Sequence, residues 1–296
     1  MAATPQDSRP ILVPLRDVPM PDIFLDEWEE VDGFQAHPSD LLVATYPKAG
    51  TTWVQEIVDS ILHDGVVSQC DRGPMPNRIP FLEFKERGKQ RPGMQKLREM
   101  PPPRVIKTHL PFSLLPKSFL EQRCKVIYCA RNAQDVMVSF FHFDRMNKLQ
   151  PEPGSWAEYF LKFITGNVSY GPWHKHVRGW WEQRMHYPIL YLFYEDLKED
   201  LNREVRKVMK FLGREISNEA VASIVKHTSF ESMKENPACN YSNVPSSIFD
   251  TNTSVFMRKG QVGDWKNHFT IAQAEVFDAV YRRWMEGSDL QFRTQL

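Results

Sequence analysis

The feature that most constrains this sequence is a lysine-containing tight loop between an apolar run and an amphipathic segment. Residues 41–46 are apolar and β-prone, and residues 47–52, Pro-Lys-Ala-Gly-Thr-Thr, follow them directly. Apolar side chains then recur at helical spacing over residues 53–62, which is typical of a helix with one buried face. The pattern predicts a strand, a tight loop and a helix. The opposite face of that helix carries the acidic residues Glu56, Asp59 and Asp64.

Such a loop is suited to binding an oxyanion, because a helix N-terminus presents unpaired N–H groups and a partial positive charge. Gly50 lets the backbone approach a ligand closely, Thr51 and Thr52 add hydroxyl donors, and Lys48 adds a full positive charge. The lysine precedes the glycine, and no Walker A string occurs in the sequence, which argues against an ordinary ATP kinase. The alternative is an ordinary strand-to-helix turn with a solvated lysine.

Short apolar runs that alternate with helical patterns organise the rest of the sequence. Strands separated by helices predict an α/β fold with a mainly parallel central sheet flanked by helices. No internal repeat or break in composition marks a boundary, so we expect one domain over residues 1–296. Residues 71–103 and 236–263 resist assignment and are predicted to be lid loops. The predicted strands are residues 41–46, 104–106, 125–130 and 189–194.

Charge and cysteine content predict a cytoplasmic protein without a nucleic-acid or membrane partner. Lys plus Arg equals Asp plus Glu at 37 each, so no global field favours an anionic polymer or surface. Residues 1–30 lack the pattern of a signal peptide, and no apolar stretch approaches a transmembrane span. No Cys-x-x-Cys pair occurs, so we expect free thiols at Cys70, Cys124, Cys129 and Cys239.

A second chemical string, Arg-Val-Ile-Lys-Thr-His over residues 104–109, ends another predicted strand. Lys107 and His109 lie on the same side of it and reach the sheet edge where ligands gather. A histidine can take a proton from a phenol or alcohol, and a lysine can neutralise charge on a transferring group. His109 alone is typical of a core histidine, but beside Lys107 and the lysine loop we favour catalysis. We interpret His174 and His176 as surface groups rather than metal ligands.

The third string, residues 125–132, is again a strand that ends in a cation, Arg131. Ser139 follows about two helical turns later, so the two side chains can share one phosphate. Arg258 and Lys259 form a further cationic turn before Gly260. Taken alone, these cations are typical of surface salt bridges and solvated pairs.

Together these strings resemble the cytosolic sulfotransferase family, closest to its phenol-type branch. The loop Thr-Tyr-Pro-Lys-Ala-Gly-Thr-Thr-Trp over residues 45–53 resembles the family's 5′-phosphosulfate loop, in which Ser usually stands where this chain has Ala49. The resemblance continues in order over nearly the whole chain. The further strings are Lys107-Thr-His109, Ala130-Arg131-Asn132, Ser139, Tyr194-Glu-Asp196, Thr228-Ser-Phe230 and Phe256-Met-Arg-Lys-Gly260.

The resemblance implies a donor, 3′-phosphoadenosine 5′-phosphosulfate (PAPS), and the product 3′-phosphoadenosine 5′-phosphate (PAP). Cationic groups at three places need more than one anionic group, and a nucleotide with 3′ and 5′ phosphates satisfies this. The resemblance assigns Arg131 and Ser139 to the 3′-phosphate and Trp53 and Phe230 to adenine stacking, although both rings are also typical of a core. The implied donor-binding residues are Lys48, Ala49, Gly50, Thr51, Thr52, Trp53, Arg131, Ser139, Tyr194, Thr228, Phe230, Met233, Phe256, Met257, Arg258, Lys259 and Gly260.

The acceptor pocket implied by the resemblance is aromatic, which suits a flat apolar ligand under closing lids. The family often has His at the position of Gln150, and this departure affects the preferred acceptor. The implied acceptor-binding residues are Phe24, Phe81, Phe84, Lys107, His109, Phe143, Tyr170 and Tyr241.

We expect sulfuryl transfer from PAPS to a small phenolic, steroid-like or amine acceptor, with His109 as base and Lys48 and Lys107 as electrostatic stabilisers. No metal is expected, and the resemblance implies a role in xenobiotic metabolism. The alternatives are an ATP- and magnesium-dependent kinase and a catalytically idle nucleotide-binding partner protein. A string over residues 266–275 resembles the family's dimer motif and implies a homodimer through Lys266, Thr270, Ile271 and Glu275.

Overall fold

The computed structural model describes residues 8–70, 73–86 and 88–296, without the side chains of residues 69 and 70. In this part of the chain the strands are β1 (Leu12–Leu15), β2 (Val18–Pro21), β3 (Leu41–Thr45), β4 (Val105–Thr108), β5 (Lys125–Ala130) and β6 (Ile189–Phe193). The helices are α1 (Trp28–Asp32), α2 (Thr51–Leu62), α3 (Met75–Arg78), α4 (Pro92–Glu99), α5 (Lys117–Glu121), α6 (Ala133–Met146), α7 (Trp156–Thr165), α8 (Trp173–Gln183), α9 (Tyr194–Glu199), α10 (Leu201–Leu212), α11 (Asn218–His227), α12 (Phe230–Glu235) and α13 (Ile271–Met285).

The central sheet is parallel throughout and has the strand order β4-β3-β5-β6. Leu42 pairs with Ile106 on one side and with Val126 on the other, so β3 is an interior strand. The four runs predicted to be strands are β3 to β6, and the expected α/β fold with a parallel sheet is confirmed. The antiparallel hairpin of β1 and β2, which contains several prolines, was not predicted.

Side-chain alternation along the strands divides the core into two layers, because successive residues of a strand point to opposite faces. Leu42 and Ala44 face a layer that includes buried residues of α6 and α8. Leu41 and Val43 face a second layer formed with α2, α10 and α11. Both faces of the sheet are therefore covered, and the loops at the strand ends remain available for a site.

Local sequence signals set several helix ends. The last long helix, α13, begins with a capping box in which Thr270 and Gln273 satisfy each other's main-chain N–H groups. The amphipathic helix α10 ends at Gly213, which has a left-handed φ of 71°. At α6, the side chain of Asn132 accepts a hydrogen bond from the Asp135 N–H and caps the helix directly after β5.

The acidic face of α2 is buried and paired, which the amphipathic pattern did not reveal. Glu56 is fully buried and accepts hydrogen bonds from Arg78 at 2.8 Å and His227 at 2.7 Å. Arg78 also pairs with Asp59. Burial alone would raise the pKa of Glu56, but hydrogen bonds from His227 and Arg78 lower it below its usual value. This face is covered because α3 and α11 pack on it.

The first predicted lid segment is partly helical rather than irregular. It contains α3 and α4, each of which has a proline at its first or second position. Residues 71, 72 and 87 of the segment lie outside the described residues. Most of the second segment, 236–263, has turns and bends without a helix or strand, as expected.

Three of the four cysteines are free and buried, as predicted: Cys124, Cys129 and Cys239. Cys129 lies inside β5. The side chain of Cys70 lies outside the described residues.

Among the described residues, no helix is long and apolar enough to cross a membrane.

Candidate active site

The carboxyl ends of the parallel strands open onto one cavity of about 730 Å³. Lys48 follows β3, His109 follows β4, Arg131 follows β5 and Tyr194 follows β6. The predicted donor residues that line the cavity are Lys48, Gly50, Thr51, Thr52, Trp53, Arg131, Ser139, Tyr194, Thr228, Phe230, Met233, Phe256, Met257, Arg258, Lys259 and Gly260. The predicted acceptor residues that line it are Phe24, Phe81, Phe84, Lys107, His109, Phe143, Tyr170 and Tyr241.

Ala49 is the one predicted donor-binding residue that does not line the cavity. Its side chain is fully buried in the core and does not line the cavity. Its N–H donates to the carbonyl of Tyr46, and its carbonyl accepts a contact from the Cys129 thiol. Ala49 therefore shapes the turn, and its main-chain N–H is already engaged.

The lysine loop has the backbone that close approach of an anion requires. Gly50 has a φ of 100°, and a Cβ there would lie 2.9 Å from the Tyr194 ring, so glycine is required at this position. Lys48, the last residue before Ala49, is also left-handed, with a φ of 67°. A non-glycine residue in this region is strained, which is common at functional sites. Because α2 begins at Thr51, the N–H groups of its first turn have no partners within the helix, and Thr51 and Thr52 line the cavity.

The Lys48 ammonium lies between two aromatic rings, 4.3 Å from the centre of Phe143 and 4.1 Å from that of Phe256. Burial, followed by the positive charge of Lys107, lowers the pKa of Lys48 to about 7. A buried ammonium with a lowered pKa gains stability from any anion that enters the cavity. This loop therefore attracts a phosphate or sulfate.

Arg131 has spare hydrogen-bonding capacity in a buried position. Its guanidinium lies 4.2 Å from the centre of the Tyr194 ring and donates to the carbonyl of Gln261 at 2.8 Å. Its Nε is buried without a hydrogen-bond partner among the described residues, and so is the Nε1 of Trp53. Buried donors are normally satisfied, so these two positions fit a ligand with polar atoms. Trp53 and Phe230 are both half-buried and line the cavity rather than fill the core.

The second cationic turn is anchored by two aspartates. Asp264 pairs with Arg258 and, at 2.5 Å, with Lys259. Asp135 accepts from the N–H groups of Gly263 at 2.8 Å and Trp265 at 3.0 Å, which fixes the loop to the start of α6. The cations are thus held in place at the cavity wall.

Gly260 brings this turn against the predicted adenine-stacking ring. A Cβ on Gly260 would lie 2.2 Å from the Phe230 ring, so no larger residue fits without displacing it. The turn and the ring therefore form one wall of the cavity.

His109 is held in one tautomer by the strand that precedes the lysine loop. Its Nδ1 lies 2.9 Å from the carbonyl oxygen of Thr45, which only accepts, so Nδ1 carries the proton. Burial, followed by the positive charge of Lys107, lowers the pKa of His109 well below its usual value. The imidazole is therefore neutral, with its lone pair on Nε2, the state that a general base requires.

His176 supports His109 and is not the surface group that we expected. It is fully buried, its Nε2 donates to the carbonyl of His109 at 2.9 Å, and its Nδ1 accepts from the Tyr128 hydroxyl at 2.8 Å. Burial lowers its pKa to about 4, so it is neutral. The sequence contained a usable signal, because Trp173, Val177 and Trp180 place His176 on an apolar helix face. His174 is half-buried and stacks on Trp284.

Lys107 enters the same cavity from β4. Its ammonium lies 4.0 Å from the centre of the Phe81 ring. Burial lowers its pKa to about 8, although the nearby Glu83 carboxylate opposes this shift. The sequence prediction that Lys107 and His109 reach one site is confirmed, since both line the cavity.

The predicted acceptor residues form a set of edge-to-face and stacked rings around His109. Its ring lies 5.1 Å from that of Phe81 and 5.5 Å from that of Tyr170. Phe84 stacks on Phe81 at 5.7 Å, and Phe24 contacts Phe84 at 6.0 Å. His109 thus lies in an apolar pocket suited to a flat ring.

Gln150 also lines the cavity, and its amide is oriented. The Ser169 hydroxyl donates to Oε1 of Gln150 at 2.6 Å, and both residues are buried. The amide NH2 of Gln150 is therefore the group available to a ligand.

In residues 8–70, 73–86 and 88–296, no group of three or more His, Cys, Asp or Glu side chains is placed to hold a metal ion.

Residues 38–289 match the family model described as a sulfotransferase domain. Sulfotransferase 1B1 of Mus musculus is 49% identical over 296 residues, which covers 100% of this chain and 99% of the relative. Sulfotransferase 1C2 of Homo sapiens is 53% identical over 272 residues, 92% of each chain.

Solved structures agree with this match. A retinol dehydratase in complex with androsterone and the inactive cofactor PAP has a TM-score of 0.85 at 27% identity, and the alignment covers 93% of this chain and 89% of that chain. A mouse sulfotransferase complexed with PAP has a TM-score of 0.77 at 32% identity, with coverage of 94% and 96%. The resemblance inferred from the motifs is confirmed: this chain belongs to the sulfotransferase family.

Proposed function

We propose that this protein transfers the sulfuryl group of PAPS to the hydroxyl or amine of a small phenolic or related apolar acceptor. The observation that carries the proposal is a neutral His109, fixed by Thr45, in the same cavity as the lysine loop and the two arginine sites. The similarity to sulfotransferases 1B1 and 1C2 supports the phenol-type chemistry. The PAP complexes of the structural relatives support the nucleotide.

The residues at the donor end fit a nucleotide with two phosphates. The N-terminus of α2 and Lys48 would hold the 5′ group, with Thr51 and Thr52 as hydroxyl donors. Arg131, with its unpartnered Nε, would hold the 3′-phosphate together with Ser139 and the turn of residues 258–260. Between the phosphates, the adenine would lie among Trp53, Tyr194, Thr228, Phe230 and Met233.

When bound, PAPS supplies a sulfuryl group attached to a 5′-phosphate leaving group. His109 Nε2 takes the proton of the acceptor hydroxyl as its oxygen forms the bond to sulfur. Lys48 places positive charge where the bridging oxygen leaves, and Lys107 stabilises the charge of the transferring group. Because Nδ1 of His109 already donates to Thr45, the base presents its lone pair without a tautomer change.

The proposal is tested by incubating the protein with PAPS or ATP and a panel of phenols, steroids and amines. We expect a sulfated product with PAPS and a phenol, and no product with ATP and magnesium. A phosphorylated product would favour the kinase. Tight PAP binding without turnover of any acceptor would favour an idle nucleotide-binding partner, although the complete set of Lys48, Lys107 and His109 supports an enzyme.

We also propose a homodimer through residues 266–275. Ile271, at the start of α13, is 82% exposed, more than any other large apolar side chain among the described residues, and Thr270 and Glu275 are exposed beside it. In a twofold contact this patch meets its own copy, so Lys266 can reach Glu275 of the other subunit.

The dimer is tested with the variant Ile271→Glu, which forces two carboxylates together near the axis and should give monomers. Light scattering across a dilution series measures the mass. As a matched control, Ile11→Glu changes another exposed isoleucine and should leave the dimer intact. An unchanged dimer mass for Ile271→Glu would place the interface elsewhere.

Residues 71–103 and 236–263 are proposed to close over the acceptor as lids of a single domain, because both contribute cavity-lining residues such as Phe81 and Tyr241. A cytoplasmic location and a role in the conjugation of foreign phenols stay predictions. Fractionation of cells that express the protein, followed by assay of the soluble fraction, tests the location.

A further inference from the structure

Glu83 is a buried ionisable group beside the base that the proposed chemistry does not use. It lies in the first lid segment and is fully buried. Its Oε1 accepts a hydrogen bond from the main-chain N–H of His109 at 2.7 Å, and its Oε2 accepts one from the Thr108 hydroxyl at 2.9 Å. The two carboxylate oxygens therefore hold Thr108, which ends β4, and His109, which follows it.

The main chain around Glu83 is itself fastened to β4. The N–H of Lys107 donates to the carbonyl of Pro80 at 2.9 Å, and the N–H of Leu82 donates to the carbonyl of Lys107 at 2.9 Å. The buried guanidinium of Arg91 donates to the main-chain carbonyl of Glu83. This part of the lid segment is thus an extension of the sheet, and the carboxylate has a fixed position.

Several titratable groups surround this carboxylate, and their charges affect one another's pKa values. Burial raises the pKa of Glu83 to about 7, although hydrogen bonding to His109 and the charge of Lys107 oppose the shift. Burial and then the Glu83 carboxylate raise the pKa of Tyr170. Two charged groups face Glu83: Lys107, and Arg91, which contacts the main-chain carbonyl of Glu83. The neutral groups that face it are His109 and Tyr170.

We propose that Glu83 is a positioning residue for the reaction, one that fixes the turn presenting His109 and supplies the negative charge that keeps the Lys107 ammonium protonated. This inference rests on the proposed sulfuryl transfer. The hydrogen bonds carry the first role, because losing one acceptor frees the main-chain N–H of the base. The second role follows from the pairing of Pro80 and Leu82 with Lys107, which brings the Glu83 segment against this lysine, and from the Glu83 carboxylate opposing the lowered pKa of the Lys107 ammonium.

The test uses Glu83→Gln, which keeps the shape but removes the charge and one acceptor. We expect kcat with PAPS and a phenol to fall about a hundredfold, because a small displacement of a catalytic group has this effect. Affinity for PAP, measured by calorimetry, should not change. The alkaline limb of the kcat profile should move to lower pH by about one unit or more, since Lys107 loses its proton earlier without the carboxylate. The pKa of Lys107, measured by NMR on the free protein, should fall by the same amount as the alkaline limb moves.

Two further variants separate position from charge. Thr108→Val removes one hydrogen bond to the carboxylate but keeps its charge, so kcat should fall less and the alkaline limb should not move. Glu121→Gln removes an exposed carboxylate on α5 and should match the wild type. If Glu83→Gln does not fold, Glu83→Asp decides, because it keeps the charge but draws the carboxylate back from the His109 N–H. Wild-type kcat in that variant would overturn the positioning role.

The outcomes also separate this inference from the proposed function. Wild-type kcat and pH profile in Glu83→Gln would overturn the inference while sulfuryl transfer stands. A slower variant with an unmoved alkaline limb and an unchanged pKa of Lys107 would overturn the role of the charge. If the wild-type protein sulfates no acceptor, the proposed function fails, and the pKa of Lys107 in the two proteins still tests the electrostatic part.

Discussion

The cavity has two ends that are built differently. The proposed donor end contains Lys48, Arg131 and residues 258–260, and the proposed acceptor end contains the aromatic rings around His109. At the donor end, cations are held by carboxylates and carbonyls, as in the pairs of Arg258 and Lys259 with Asp264 and of Arg131 with the carbonyl of Gln261. At the acceptor end, aromatic rings contact each other, for example His109 and Phe81 at a centre distance of 5.1 Å and Phe24 and Tyr170 at 6.3 Å. At the donor end, ion pairs and hydrogen bonds determine the position of each side chain. At the acceptor end, the packing of rings determines the shape of the pocket.

This difference determines how each end responds to change. A charge-assisted hydrogen bond contributes about 1.5 to 3 kcal/mol and is lost entirely with its donor. An aromatic contact contributes about 0.5 to 1.5 kcal/mol beyond its buried area, and a different ring can replace it. Substitutions at the donor end should therefore give discrete losses, whereas those at the acceptor end should give graded shifts among acceptors.

The largest effect should come from His109, where the two ends meet. His109→Ala should lower kcat by about 10² to 10⁴, because removal of a general base has this cost. PAP affinity by calorimetry should be unchanged, since the imidazole acts on the acceptor proton. The exposed His37 offers a matched control, and His37→Ala should keep full activity. Retention of more than about a tenth of the turnover would contradict the role as base.

A smaller but discrete effect is expected for Arg258. Arg258→Ala should weaken PAP binding by about 1.5 to 3 kcal/mol and leave binding of adenosine 5′-phosphate nearly unchanged, because only PAP carries a 3′ group. Calorimetry with both nucleotides measures the difference.

Asp264→Asn serves as the control for this arginine, because it removes the paired carboxylate and keeps the cation. It should preserve the preference for PAP over adenosine 5′-phosphate. Equal losses for both nucleotides in Arg258→Ala would move this residue away from the 3′ site and erase the contrast between the two ends.

The smallest effect is expected at Gln150 in the acceptor pocket. Gln150→Leu removes the oriented amide donor, so kcat/KM should fall about two- to twelvefold for phenols with a remote hydrogen-bond acceptor. Simple alkylphenols and PAP affinity should be unaffected. Ser169→Ala releases the amide from its fixed orientation and should give a weaker version of the same change. A uniform loss for all phenols would show that Gln150 supports the pocket rather than selects within it.

The sequence predicted the structure of the lysine loop well because its signals are local. The strand, the loop glycine and the helix start all lie within residues 41–62, and the strand and the helix appear as expected. The residues that support His109 were not predictable in the same way. Glu83 and His176 contact His109 across sequence separations of 26 and 67 residues, and no local pattern encodes such contacts.

Burial of charge was also hidden from the sequence. The acidic face of α2 has the pattern of a solvated surface, yet Glu56 is buried because Arg78 and His227 reach it from distant segments. Conversely, Ala49 lies in the middle of the predicted loop, but its side chain faces the core. The sequence pattern therefore predicted which residues belong to the lysine loop and to α2, but it did not predict whether each side chain faces the core, the cavity or the solvent.

The hydrogen bond from His109 to the carbonyl of Thr45 has a consequence for how such an enzyme diverges. Thr45 ends the strand that leads into the lysine loop, so His109 and this loop share one rigid frame. The rings of the pocket come from other segments, among them Phe24 and Phe81. A substitution at Phe24 can therefore reshape the pocket without moving His109 relative to the lysine loop. Phe81 is less independent, because its neighbours Pro80 and Leu82 are hydrogen-bonded to Lys107.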